Sequence, residues 1–189
     1  MIDPVWYLTY ILACAAVVIV PGPTVTVIIA NSLRSGPRAG LLNVAGTQLG
    51  LATMVGVLAV GLTTVVSAMA GLFDVLRWLG AAYLIWLGVR MWRSDGELAA
   101  ASAARGSHSQ WFWQGFWVIW SNPKALLFFG AFIPQFVDPQ GDPLVQTLLL
   151  GGTFMAVATL LDGAYALAAV WAGRWLTGTR FRLVEKLSG

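Results

Sequence analysis

Two ionisable side chains lie deep inside apolar stretches, Lys124 in 111–133 and Asp162 in 144–171. Thirteen residues separate Lys124 from Trp111, about 20 Å of helix, and nine separate Asp162 from Trp171, about 14 Å. A charge at mid-bilayer costs at least about 2.5–3.5 kcal/mol on insertion scales, so such a residue reads first as functional. A deep ammonium suits a substrate carboxylate. A deep carboxyl suits proton transfer between the two sides, and Asp162 is the only deep carboxylate in the chain. The alternative is a structural Lys124–Asp162 ion pair, and the two roles are compatible if Lys124 alternates between Asp162 and substrate. Tyr165, three residues beyond Asp162 on the same helix face, is placed to hydrogen-bond it.

Both charges must be held by helices, and two of those helices carry breaks. Pro21, Gly22 and Pro23 fall midway along the first apolar run, and Asn122 and Pro123 fall midway along the fourth, with Pro123 102 residues after Pro21. Proline removes a backbone donor and displaces another bond, so irregular backbone at that depth must be covered by protein or line a wet cavity. A half-helix that restarts there presents its amino terminus, and with it a partial positive charge, to a carboxylate. Paired interrupted helices at corresponding positions point to the substrate site of a secondary transporter, whereas a simple kink is the plainer reading. In the second run, Gly46 and Gly50 form a GxxxG pair suited to close helix packing, as do Ala164, Ala168 and Ala172 in the fifth. Gln48, between the two glycines, needs partners for its amide and fits either an interhelical bond or the substrate path.

Charge-free intervals delimit the spans. Thirty uncharged residues separate Asp3 from Arg34 and 35 separate Arg38 from Asp74, each more than the roughly 20 that cross the hydrocarbon. A third span is expected at 75–92, with Arg77 and Arg90 reaching towards the interfaces, and the fourth and fifth at 111–133 and 144–171. Trp6, Tyr7, Tyr10, Trp92, Trp111, Trp113, Trp171 and Trp175 fall at span ends as aromatic belts. Arg34, Arg38, Arg90, Arg93, Arg105, Arg174, Arg180, Arg182 and Lys186 all fall on one side, which predicts cytoplasmic Arg-bearing loops and an outside amino terminus. The Ala, Ser and Gly-rich segment 94–110 reads as a cytoplasmic linker between a first half, 1–93, and a second, 111–189.

Composition closes off other classes. With 58% hydrophobic and 10% charged residues the chain cannot dress a water-facing surface, so a soluble enzyme is excluded. No HExxH or GxSxG motif occurs, no second carboxylate accompanies Asp162, and the single His108 lies in the linker, so no membrane enzyme is expected either. Cys14 is the sole cysteine, which leaves no disulfide, metal cluster or cofactor to expect. The net charge of +3 is spread between apolar runs and forms no nucleic-acid patch.

The sequence resembles the LysE/RhtB amino-acid exporters of bacteria. The likeness runs along essentially the whole chain: Val20-Pro21-Gly22-Pro23, Gly46-Thr47-Gln48-Leu49-Gly50, the RWLGAAYLIWLG of 77–88, Asn122-Pro123-Lys124-Ala125, Phe128-Phe129, and Pro134-Gln135-Phe136. The resemblance implies an all-α bundle of two inverted three-helix halves in the inner membrane, exporting amino acids or their derivatives, driven by the proton gradient and dimeric. Members usually continue beyond the position of Gly189 into a final apolar helix, so five spans are expected here and the sixth is missing. Family exporters of lysine and arginine tend to carry carboxylates in spans two and four, where this chain has Gln48 and Leu127-Phe128, so a small neutral amino acid or derivative is expected. The alternative function is a non-transporting assembly subunit, or a truncated fragment of such an exporter.

Overall fold

The computed structural model describes residues 4–68, 107–138 and 140–188, with side chains over 4–62, 107–138 and 140–173. The expected third span and most of the 94–110 linker lie outside them. Prolines set most of the helix starts. Pro4 opens α1 (Pro4–Ile19), Pro23 α2 (Pro23–Ser35), Pro37 α3 (Pro37–Ala68), Pro123 α5 (Pro123–Leu127) and Pro143 α6 (Pro143–Ser188). At a first helical position the missing N–H has no intrahelical partner to lose, and the locked φ already fits the helix. The remaining helix, α4 (His108–Trp120), starts instead at a capping box, in which Ser107 Oγ accepts from Gln110 N at 3.3 Å and Ser107 N donates to Gln110 Oε1 at 2.7 Å.

The described residues contain helices and no strands, as expected for an all-α membrane bundle. Two helices are long and apolar enough to cross a membrane, over Pro37–Leu62 and Pro143–Gly173. Two helix pairs, each bent at a short break, are long and apolar enough when taken together. Pro4–Ile19 meets Pro23–Ser35 at 54°, and His108–Trp120 meets Pro123–Phe136 at 49°, so both proline breaks are sharp bends at the predicted positions. Gly36, at φ +86°, separates α2 from α3, a conformation that glycine adopts without a side-chain clash. Leu12, Val57, Leu160 and Trp171 are exposed, the outward apolar surface that lipid replaces water against.

Close backbone approach holds α3 against α4. A Cβ at Gly46 would collide with the Phe112 carbonyl, one at Gly50 with the Ile119 side chain, and one at Gly115 with the Asn43 carbonyl, so α3 lies directly on α4. Beside this seam runs a buried polar chain. Asn31 Nδ2 donates to Asn43 Oδ1 at 2.7 Å and to Gln114 Oε1 at 2.8 Å, and Asn43 Nδ2 donates to the Trp111 carbonyl, which links α2, α3 and α4. Towards the other end of the bundle, α5 continues into a π-helical turn (Phe128–Phe132) and a 3-10 turn (Ile133–Phe136). Their rings pack with Trp6, Tyr10 and Phe154, at centroid distances of 5.3 Å for Trp6–Phe136, 5.1 Å for Tyr10–Phe136 and 4.5 Å for Phe128–Phe154. One packing expectation is corrected: Ala164, Ala168 and Ala172 are exposed, because the stripe they form turns away from the bundle.

Candidate functional site

Between the polar chain and the aromatic cluster, the two bends face each other across a cavity of about 30 Å³. Gly22, Thr24 and Val25 line it from α2 and the bend before it, Thr47 and Leu51 from α3, Asn122, Lys124 and Ala125 from the second bend, and Phe154, Ala158 and Asp162 from α6. A space of that size holds about one or two water molecules. It is too small for an amino acid.

Interrupting span one frees the carbonyls at the end of α1, and in hydrocarbon each must find a donor. Val20 N reaches only the Ala16 carbonyl, at 3.4 Å. Three more are satisfied from far along the chain: Lys124 Nζ donates to the Val17 carbonyl at 2.8 Å and to the Val20 carbonyl, and Tyr165 Oη donates to the Ile19 carbonyl at 2.7 Å. The ammonium thus sits at the negative end of the α1 dipole. Gly22 lies beside it, and a Cβ there would meet Lys124 Nζ at 3.4 Å, an ordinary van der Waals contact. Across the bend, α2 begins at Pro23 with Gly22 as its cap and no side-chain cap bond, so no side chain of the cap residue serves its first turn.

The second bend is closed by its own residues. Asn122 Oδ1 caps α5 through Lys124 N at 3.0 Å, and Asn122 Nδ2 donates to Thr24 Oγ1 at 2.8 Å, joining the two bends. Asn122 and Thr24 are both buried.

Asp162 is 4% exposed, and its Oδ1 has no hydrogen-bond partner. Lys124 and Asp162 make no direct ion pair, because the ammonium is turned to the α1 carbonyls, but the two charges lie near enough to act on each other electrostatically. Tyr165 is likewise not bonded to Asp162. The phenol is long enough to carry its hydroxyl past the carboxyl to Ile19.

The remaining predicted positions divide. Gly22, Asn122, Lys124 and Asp162 line the cavity, whereas Pro21 and Pro23 are exposed and shape the bend from outside, and Pro123 is buried as the first residue of α5. Gln48 does not line the cavity, and its Nε2 is buried without a partner. Its neighbour Thr47 faces the cavity instead, since one residue along a helix turns the side chain by about 100°. Thr24 and Thr47 were not singled out by sequence, nor was the Asn31, Asn43 and Gln114 chain. Three asparagine or glutamine residues within apolar helices were the available signal.

Residues 15–189 match the family described as LysE type translocator. The chain is 34% identical to the homoserine/homoserine lactone efflux protein of Salmonella typhimurium, over 93% of this chain and 85% of that one. It is 31% identical to an uncharacterized membrane protein of Bacillus subtilis, over 96% of this chain and 92% of that one. It is also 32% identical to a leucine efflux protein of Klebsiella pneumoniae, over 70% of this chain and 63% of that one. No solved structure matches. With a family match over most of its length and bent apolar helices at the motifs that carry the likeness, the chain belongs to the LysE type translocators and is a multi-pass membrane protein.

Proposed function

We propose that this protein exports small neutral amino acids or their derivatives across the bacterial inner membrane. The observation that carries the reading is the cavity itself: two bent spans meet around Lys124 and an unpartnered, buried Asp162, in a chain whose relatives are named for homoserine and leucine efflux. The substrate carboxylate is held by Lys124 and the open first turn of α2, with Gly22, Thr24 and Asn122 shaping the place. Asp162 takes up and releases the coupling proton. A buried carboxyl beside a movable ammonium can exchange its proton as access to water and the place of that ammonium change. Alternating access then opens the cavity to each side in turn, with halves 1–93 and 111–189 moving about the linker 94–110. The Arg-bearing loops face the cytoplasm and the amino terminus lies outside, in accord with the distribution of Lys and Arg. Assembly as a homodimer rests on the family resemblance alone.

The test is efflux of labelled homoserine, threonine and leucine from proteoliposomes, with and without an imposed pH gradient. Flux of at least one amino acid, accelerated by the gradient, is the expected result. In Asp162→Asn the gradient should no longer accelerate flux, while the folded protein should be no less stable, because the carboxyl it replaces has no partner at Oδ1. Gradient-driven export that survives this change unaltered would remove Asp162 from the coupling step, and silence of the wild-type chain towards every amino acid would overturn the export reading.

A further inference from the structure

Lys124 is a primary ammonium held by backbone carbonyls at the carboxyl end of a half-helix, and it borders the cavity. An α-amino acid carries the same group. It also carries what Lys124 lacks here, a carboxylate partner. We infer that the carbonyls of Val17 and Val20 form a binding site for the substrate's α-ammonium, and that Lys124 occupies this site as a resident substitute.

The exchange leaves no donor or acceptor stranded. An entering zwitterion places its ammonium on the two carbonyls, and the displaced Lys124 Nζ turns to the substrate carboxylate, so two bonds broken are replaced by two of the same type plus a charge-assisted pair. Two observations favour exchange over a permanent cap. First, the Ile19 carbonyl between these two is held by Tyr165, a neutral donor on a different helix, so the end of α1 keeps an anchor while Lys124 leaves. Second, Asp162 is buried in the same cavity with an unpartnered Oδ1, a counter-charge available to whichever ammonium is in transit. The site takes primary ammonium compounds, with the carboxylate required only to hold Lys124 aside. N-acylated amino acids lack the recognised group.

This inference rests on the proposed export reading, and the experiment separates the two. Binding of L-leucine, L-leucine amide and N-acetyl-L-leucine to the detergent-purified full chain is measured by calorimetry, alongside liposome flux of labelled leucine. In the wild type the free amino acid should bind best, the amide more weakly because it offers Lys124 no carboxylate, and the N-acetyl compound not at all. In Lys124→Met the order of the first two should reverse: the amide gains about ten-fold or more because its site is vacant, and the zwitterion loses. The inference is overturned if N-acetyl-L-leucine binds the wild type as tightly as leucine does, a comparison that stands even if the variant does not fold. It is equally overturned if amide affinity falls in Lys124→Met in parallel with leucine. Amide binding without flux of any amino acid would keep the ammonium site and refute export; flux with no discrimination against the acetylated compound would do the opposite.

Discussion

The two bends share a geometry and differ in how they are closed. In span four the interruption is repaired within a few residues: Ser121 N and Ser121 Oγ both donate to the Trp117 carbonyl, at 3.0 and 2.8 Å, Asn122 N donates to the Ile119 carbonyl at 3.1 Å, and Asn122 Oδ1 caps α5. In span one almost nothing is local. The end of α1 depends on Lys124 and Tyr165, more than a hundred residues away, and the start of α2 has no side-chain cap. A break that closes on itself can be rigid, whereas a break closed by distant donors changes whenever those donors move. On this comparison span four is the frame that presents Lys124 and Asn122, and span one is the part that responds.

The comparison predicts graded effects. Lys124→Met strands the Val17 and Val20 carbonyls in a dry environment, at about 1–3 kcal/mol for each unmade bond, so it should lower the thermal midpoint more than any other single change at the bends. Amino-acid flux should fall by about a hundred-fold, as for loss of a buried charged contact to substrate. A variant that melts with the wild type would show that the α1 end has other donors. Asn122→Ala comes next, because it removes an N-cap and the side-chain bond to Thr24 that joins the bends beside the Lys124 contacts. The cap is worth about 1 kcal/mol and the membrane-buried Thr24 bond about 0.6 kcal/mol. A double-mutant cycle with Thr24→Val, read by denaturant unfolding in mixed micelles, should recover a coupling near that smaller value. Zero coupling would mean that the bends are held together by the Lys124 bonds and packing, without help from Thr24. Tyr165→Phe should cost about 0.6 kcal/mol of stability through the Ile19 carbonyl, and because the phenol is not bonded to Asp162 the response of flux to a pH gradient should persist. Loss of that response would return Tyr165 to the proton path.

The positions of both bends were legible in the sequence because proline midway along an apolar run interrupts the helix ladder wherever it falls, and the depth of Lys124 and Asp162 because charges in long apolar runs are costly. Their partners were not. Lys124 is held by backbone carbonyls, which every residue has and no sequence marks, so the nearest visible counter-charge, Asp162, looked like the obvious mate. Tyr165 was placed on the correct helix face, but one-dimensional spacing does not say how far along that face a phenol reaches. Gln48 drew notice because it stands between two glycines, yet those glycines meet α4 while Thr47 turns to the cavity. The Asn31, Asn43 and Gln114 chain joins residues 12 and 83 positions apart, a pairing that appears only once α4 is laid on α3.

The smallest expected effect is the sharpest check on the contrast between the bends. Ser121 is exposed, and its hydroxyl donates to the Trp117 carbonyl at 2.8 Å, an acceptor already served by the Ser121 amide at 3.0 Å. Removing the hydroxyl therefore strands no carbonyl, and Ser121→Ala should alter stability by no more than about 0.5 kcal/mol and leave flux unchanged. If span four were instead the responsive break, loosening its local closure would change the position of Lys124 and with it the affinity for substrate. Binding isotherms of Ser121→Ala and the wild type that superimpose would place the moving part at the end of α1; a shift of several-fold in affinity with stability intact would move it to span four.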